Sequence, residues 1–185
     1  EEVLKRGEQA LVLVPEIGLT PQTVNRFRRR FPDTPIMLWH SALTDNERLQ
    51  TWRFCEKGSC AIVIGTRSSI FLPFLKLGMI VVDEEHDSSF KQQDTLRYHA
   101  RDLAAYRAFQ HKIPLILGSA TPALETLHKA INNKYQLLSL TERAQTATDN
   151  QFMLLDMKGQ PDQAGIAHAS LATMRQHLNR GKQVM

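Results

Sequence analysis

The sequence predicts a doubly wound α/β fold on a parallel sheet, and three observations predict it. Five short apolar runs recur along the chain, they alternate with stretches long enough for amphipathic helices, and nearly every run ends on polar or charged residues. Continuous apolar runs of this length suit strands covered on both faces, the condition that crossover helices impose on a parallel sheet. The polar residues that follow the runs then gather at the carboxyl edge, where open α/β sheets bind ligands.

Taken in order, EEVLKRG at 1–7 reads as the closing turns of a helix stopped by Gly7. ALVLV at 10–14 is the first strand and leads to Pro15 and Glu16. Thr20 caps the next helix, with Pro21 at its first position. IMLW at 36–39 is the second strand and runs into His40 and Ser41, after which Thr44-x-x-Glu47 has capping-box spacing. AIVIG at 61–65 ends on Thr66 and Arg67, and MIVVD at 79–83 runs into Glu84, Glu85, His86 and Asp87. HARDLAAYRAFQ at 99–110 is helical, PLILG at 114–118 is the fifth strand, and TPALETLHKAINN at 121–133 is helical again. Beyond 141 the signal fades through the loop-like TERAQTATDNQ, the short run FMLLD at 152–156 and KGQPDQAGIAHAS, before a final helix near 170–180. The expected organisation is a sheet domain over 1–143, a connector and helix over 144–180, and the start of a second domain at 181–185, where GKQVM opens an apolar run.

Composition narrows the function less than the pattern narrows the fold. At 185 residues and 42% hydrophobic content the chain can bury one sizeable core. Its 23 Lys and Arg against 19 acids admit a polyanionic partner without requiring one. Cys55 and Cys60 match neither a C-x-x-C pair nor half of a usual zinc site, and read as reduced intracellular thiols. With no apolar run of about 18 residues and no signal region, no membrane is involved and a cytoplasmic location is expected. The run RFRRRF at 26–31 spreads its arginines over several helix faces and reads as a solvated surface, while Trp39, Trp52 and Phe54 read as packing residues.

Chemistry concentrates after the fourth run. Adjacent carboxylates at the end of a buried strand can divide labour in phosphoryl transfer, Asp83 holding Mg²⁺ directly or through water and Glu84 orienting or deprotonating the attacking water. Like charges this close need a metal or a cation nearby. The acidic cluster alone leaves open a metal-dependent nuclease or phosphatase that uses Asp83, Glu84, His86 and Asp87 around two ions, and a non-catalytic DNA-binding module.

His86 gives the cluster a more specific form. Asp83-Glu84-Glu85-His86 after an apolar strand resembles the second motif of the DExH group of superfamily 2 helicases. Gly118-Ser119-Ala120-Thr121, LVPEIGLTPQ at 13–22 and IGTRSSIF at 64–71 are similar to further motifs of that superfamily, in the same order and spacing. The blocks PEIGLTPQ, GTRSSIF, DEEHDSSFKQQ, RYHARDLA and GSATPALETL together resemble the bacterial replication-restart helicases, the primosomal protein N′ family, densely over 1–143 and more loosely beyond.

That resemblance implies a partial RecA-like first motor domain of a 3′-to-5′ DNA helicase that uses ATP and Mg²⁺ and acts on single-stranded and forked DNA. Its implied partners are other primosome proteins and single-stranded-DNA-binding protein. It implies Asp83, Glu84 and His86 as catalytic residues, with Asp83 the Mg²⁺ ligand, and Ser119, Ala120 and Thr121 as the link between hydrolysis and DNA movement. The segment DSSFKQQDTLRYHARD at 87–102 resembles an aromatic-rich loop that senses single-stranded DNA, except that Leu96 stands where the family has a tryptophan. The implied DNA contacts are Thr66, Arg67, Phe90, Lys91, Arg97 and Tyr98. No G-x-x-x-x-G-K-[ST] phosphate loop occurs in the 185 residues. The resemblance places that loop upstream of residue 1, and an arginine finger and zinc-binding cysteines elsewhere in the parent protein. This stretch is therefore expected not to hydrolyse ATP alone and not to bind zinc.

Overall fold

The computed structural model describes residues 1–141, 153–159 and 162–184. The loop expected over 141–151, apart from Thr141, lies outside the described residues, as do Phe152 of the FMLLD run and the domain boundary expected between 143 and 144. The chain divides into two compact units, Glu1–Leu137 and Leu138–Met185.

In the first unit the strands are β1 (Gln9–Leu13), β2 (Ile36–Trp39), β3 (Ile62–Gly65), β4 (Leu77–Val82), the two-residue strands β5 (Lys91–Gln92) and β6 (Tyr98–His99), and β7 (Leu115–Leu117). Five of them form one parallel sheet in the order β2-β3-β1-β4-β7, while β5 and β6 pair separately and antiparallel. All five apolar runs are strands of that sheet, with ends moved by a residue or two where turns begin. Side chains alternate between its faces. Leu11 and Leu13 of β1 pack with Val63, Ile80 and Val82 in one cluster, whereas Val12 and Val14 pack with Ile62 and Ile64 in another. Each such residue, when fully buried, contributes about 1.5–3 kcal/mol relative to an exposed one.

The helices follow their expected signals. The short α1 (Glu2–Lys5) leads to Gly7, whose φ of +67° is the left-handed stop that glycine allows. Thr20 Oγ1 accepts the Thr23 N–H at 3.2 Å to cap α2 (Pro21–Arg30). Both halves of the capping box open α3 (Asp45–Glu56): Glu47 N–H donates to Thr44 Oγ1, and Thr44 N–H donates to the Glu47 carboxylate. His99 caps α4 (Ala100–His111). From α4, Arg107 donates to the carbonyls of Ile70 and Leu72 and so fixes the 3₁₀ turn Arg67–Phe71 that follows β3. Gly65 is needed there, since a Cβ at that position stands 2.6 Å from Ser69 Cβ and 2.9 Å from Trp39 Cβ. The helix expected over 121–133 is shorter, α5 (Leu124–Ile131), because Pro122 and the bond that Ala123 N–H makes outside the helix delay its start. Cys55 and Cys60 are free, buried thiols with their sulfurs 3.6 Å apart.

The second unit contains the hairpin β8 (Asp162–Gln163) and β9 (Ile166–Ala167), then α6 (His168–Asn179). Positive φ at both Ala164 and Gly165 matches the turn type that two-residue hairpins favour. A hairpin therefore occupies part of what reads as connector, and residues 182–184 form no strand. Among the described residues, no helix is long and apolar enough to cross a membrane.

Candidate functional site

The acidic run leaves the sheet between the ends of β1 and β7. Asp83 N–H donates to the Leu13 carbonyl at 2.9 Å, which extends the ladder one step beyond β4. Glu84 then adopts φ +48°, a left-handed conformation that costs a non-glycine residue on the order of 1 kcal/mol or more and tends to be kept at functional sites. This turn sorts the four acids. Asp83 and Glu84 are exposed, Glu85 is 1% exposed, and Asp87 is half-buried.

Glu85 is an anchor. Its carboxylate accepts from Arg101 Nη1 at 3.0 Å, from Ala123 N–H at 2.7 Å and from Thr126 Oγ1 at 2.9 Å, while its own N–H donates to the Gly118 carbonyl. Burial pushes this carboxyl up, but the three hydrogen bonds and the guanidinium charge outweigh burial and hold it below its ordinary value. The result joins the end of β4, the start of α4 and the start of α5 through one side chain. Neither Arg101 nor Thr126 stands out as functional in the sequence. The available signal was Arg101 itself, a cation in the first turn of a helix, where the macrodipole disfavours it unless an anion is close.

His86 turns the other way. Its Nδ1 lies 2.7 Å from Ser119 Oγ and 3.6 Å from Glu84 Oε2. Ser119 Oγ also accepts the Thr121 N–H at 3.0 Å, which leaves its hydroxyl proton free for His86. Ser119 and His86 thus meet beyond the carboxyl ends of β7 and β4. Thr121 contributes its backbone and caps no helix, and Ala120 is exposed beside it. Asp87 Oδ1 accepts the Ser89 N–H at 2.7 Å and caps the 3₁₀ turn Ser88–Phe90; bonds from Ser89 hold its carboxyl below the usual range. Among the described residues, no three His, Cys, Asp or Glu side chains group as a metal site. This geometry does not favour the alternative of Asp83, Glu84, His86 and Asp87 around two ions, since Asp87 Oδ1 serves its own turn.

The residues predicted to contact DNA divide between surface and core. Lys91 and Arg97 are exposed, and Tyr98 is half-buried with its ring edge-on to Phe71 at 5.0 Å. Phe90 is 0% exposed within the main core cluster, so it has no free face for a base. That expectation is corrected: the turn capped by Asp87 inserts the ring under the sheet. Arg67 Nη1 donates to the carbonyls of Ser89 and Lys91, at 3.1 and 3.0 Å. Thr66 is 5% exposed, and its N–H donates to the Trp39 carbonyl. Both line a cleft of about 360 Å³ with Trp39, Arg48 and Tyr98.

A family model described as DEAD/DEAH box helicase matches residues 1–130. Replication restart protein PriA of Haemophilus influenzae is 52% identical over 185 residues, which are 100% of this chain and 25% of that protein. The protein of the same description from Bacillus subtilis is 47% identical over 158 residues, 85% of this chain and 20% of that one. The Pyrococcus furiosus Hef helicase domain superposes with a TM-score of 0.40 at 10% identity, over 70% of this chain and 26% of that one. The chain spans a quarter or less of the length of these curated relatives.

Proposed function

We propose, from the premise that the chain belongs to the DEAD/DEAH box helicase family, that it is part of an ATP-driven DNA helicase whose complete form works in replication restart. The observation that carries this reading is the sorting of the acidic run into an exposed pair, Asp83 and Glu84, and a buried anchor, Glu85. A phosphoryl-transfer site needs carboxylates free to face nucleotide and water, on a support that does not move.

Asp83 fits Mg²⁺ of the kind held by one or two carboxylates together with substrate phosphates, since among the described residues its Oδ1 accepts only from the Glu84 N–H at 3.2 Å and no protein cage surrounds it. Mg²⁺, when bound with nucleotide, neutralises charge that develops on the phosphates. Glu84 orients or deprotonates the attacking water. His86 and Ser119 link the acidic turn to the segment after β7, so a shift at one is felt at the other. Lys91, Arg97 and Tyr98 offer charge and an aromatic face to DNA from the β5–β6 hairpin, Arg67 braces it through the carbonyls of Ser89 and Lys91, and Thr66 lies in the cleft beside it. The 185 residues contain no G-x-x-x-x-G-K-[ST]; in this reading the phosphate cradle comes from elsewhere in the complete protein, and this stretch does not turn over ATP alone. In this reading the complete protein moves 3′ to 5′ on single-stranded and forked DNA with primosome proteins and single-stranded-DNA-binding protein as partners, as the motif resemblance implies, and likeness to the replication restart proteins supports the role in replication restart.

The test is whether nucleotide drives the reaction. The complete protein is expected to hydrolyse ATP faster with single-stranded DNA and to unwind a duplex with a 3′ tail. Metal-dependent cleavage of DNA without nucleotide would favour a nuclease instead.

A further inference from the structure

We infer that Cys55 and Cys60 form an oxidation site, closed to an intramolecular disulfide by hydroperoxides and reopened by dithiols. Both lie outside every motif named above. Cys55 ends α3 and Cys60 precedes β3, so the pair sits at the amino ends of the parallel strands, opposite the acidic run. The two sulfurs are in contact at 3.6 Å, with Cys55 0% and Cys60 2% exposed. A disulfide holds its sulfurs about 2.05 Å apart, so closure takes a movement of about 1.6 Å.

Cys60 is the half that can move. It stands outside the strand ladder, behind the exposed turn 57–59, and its N–H reaches the Phe54 carbonyl only at 3.4 Å. Cys55 is fixed by the last turn of α3, and its carbonyl accepts from the Leu75 N–H at 3.1 Å and from Gln9 Nε2 at 3.2 Å. Buried thiols are ordinarily inert, because burial disfavours the thiolate that reacts. Here two donors offset burial. The Cys55 thiol, and after it the Gln9 amide with Nε2 3.4 Å from the Cys60 sulfur, hold Cys60 below its ordinary value, while the same shared proton pushes Cys55 up. Gln9 is held in place for this, since its Oε1 accepts the Lys76 N–H at 3.0 Å and its Nε2 also donates to the Cys60 carbonyl at 3.0 Å. Cys60 is therefore the attacking sulfur and Cys55 the resolving one.

With hydrogen peroxide, the Cys60 sulfur attacks one oxygen, the O–O bond breaks, and the other oxygen leaves as water with the Cys60 proton. The Cys55 sulfur then attacks the resulting sulfenic acid at sulfur, the S–O bond breaks, and a second water leaves with the Cys55 proton. The two thiols lose two electrons and the peroxide gains them; a dithiol returns them. The product staples the end of α3 to the start of β3.

The experiment treats the complete protein with hydrogen peroxide, unfolds it, blocks the remaining thiols with iodoacetamide and maps its tryptic peptides. Cleavage after Arg53, Lys57 and Arg67 separates FCEK at 54–57 from GSCAIVIGTR at 58–67. The disulfide is then read as these two peptides joined, two hydrogens lighter than their sum, and no other pairing gives that mass. The expected result is the joined pair as the main product at these cysteines, absent after dithiothreitol, with hydrogen-exchange protection about tenfold higher in the last turn of α3. Recovery of both peptides alkylated, of Cys60 as sulfinic acid without the link, or of either cysteine joined to a peptide from elsewhere would overturn the proposal. Cys60→Ala, treated alike, is expected to show no gain in protection; a gain of equal size there would overturn the staple.

Discussion

Glu85 and its neighbours set the chemistry at the scale of single residues. Substituting Glu85 by Ala takes the 3.0 Å partner from Arg101, 8% exposed, and leaves it the exposed Asp102 at 3.3 Å and Glu125 at 4.0 Å, so a cost of about 3 kcal/mol, the lower end for a broken buried pair, is expected. Lost hydrogen-exchange protection in α4 and α5 measures it. The same group makes stability depend on pH. Because its folded pKa lies below the ordinary 4.5, the stability it lends is complete above pH 4.5 and is lost as pH falls through the folded value. His99 is held below its ordinary 6.5 by burial and by Arg101, so its contribution is complete above pH 6.5 and declines below it. Acid titration followed by exchange at α4 is therefore expected to show loosening that begins below pH 6.5 and deepens below 4.5, with the second stage missing in Glu85→Gln. Ser119→Ala removes the partner of His86, a bond of about 1 kcal/mol. In the complete protein it is expected to reduce duplex unwinding several-fold while ATP turnover changes less; equal loss of both would mean that the bond serves hydrolysis alone.

At the scale of elements, the capping signals were legible because each needs only a few adjacent residues. Thr20 with Pro21 and the Thr44–Glu47 box sit where their spacing places them. Thr44→Ala is expected to cost about 1 kcal/mol, roughly a fivefold loss of exchange protection in the first turn of α3. What the sequence hid were elements defined by distant partners. The β5–β6 hairpin has two residues per strand, too few to show a period, and its loop reads as a continuous polar segment with scattered aromatics. Phe90 is apolar and Tyr98 amphipathic, but their different depths depend on the turn that Asp87 caps.

For the molecule as a whole, the five-stranded sheet was legible because every strand is an apolar run, largely buried in β3, β1 and β4 and only partly so in the edge strands β2 and β7, and the polar rim followed from it. The acidic run was legible as a site but not as a divided one, since nothing local separates Glu84 from Glu85. The left-handed turn at Glu84 separates them, and the partners that reward it lie 16, 38 and 41 residues away in sequence. The central claim, that the exposed half of that run serves ATP hydrolysis, is tested most directly by Glu84→Gln in the complete protein. DNA-stimulated ATP turnover should fall by about a hundredfold or more, in the range lost with a general base, while affinity for single-stranded DNA is unchanged. Turnover within a few-fold of the unsubstituted protein would contradict the claim.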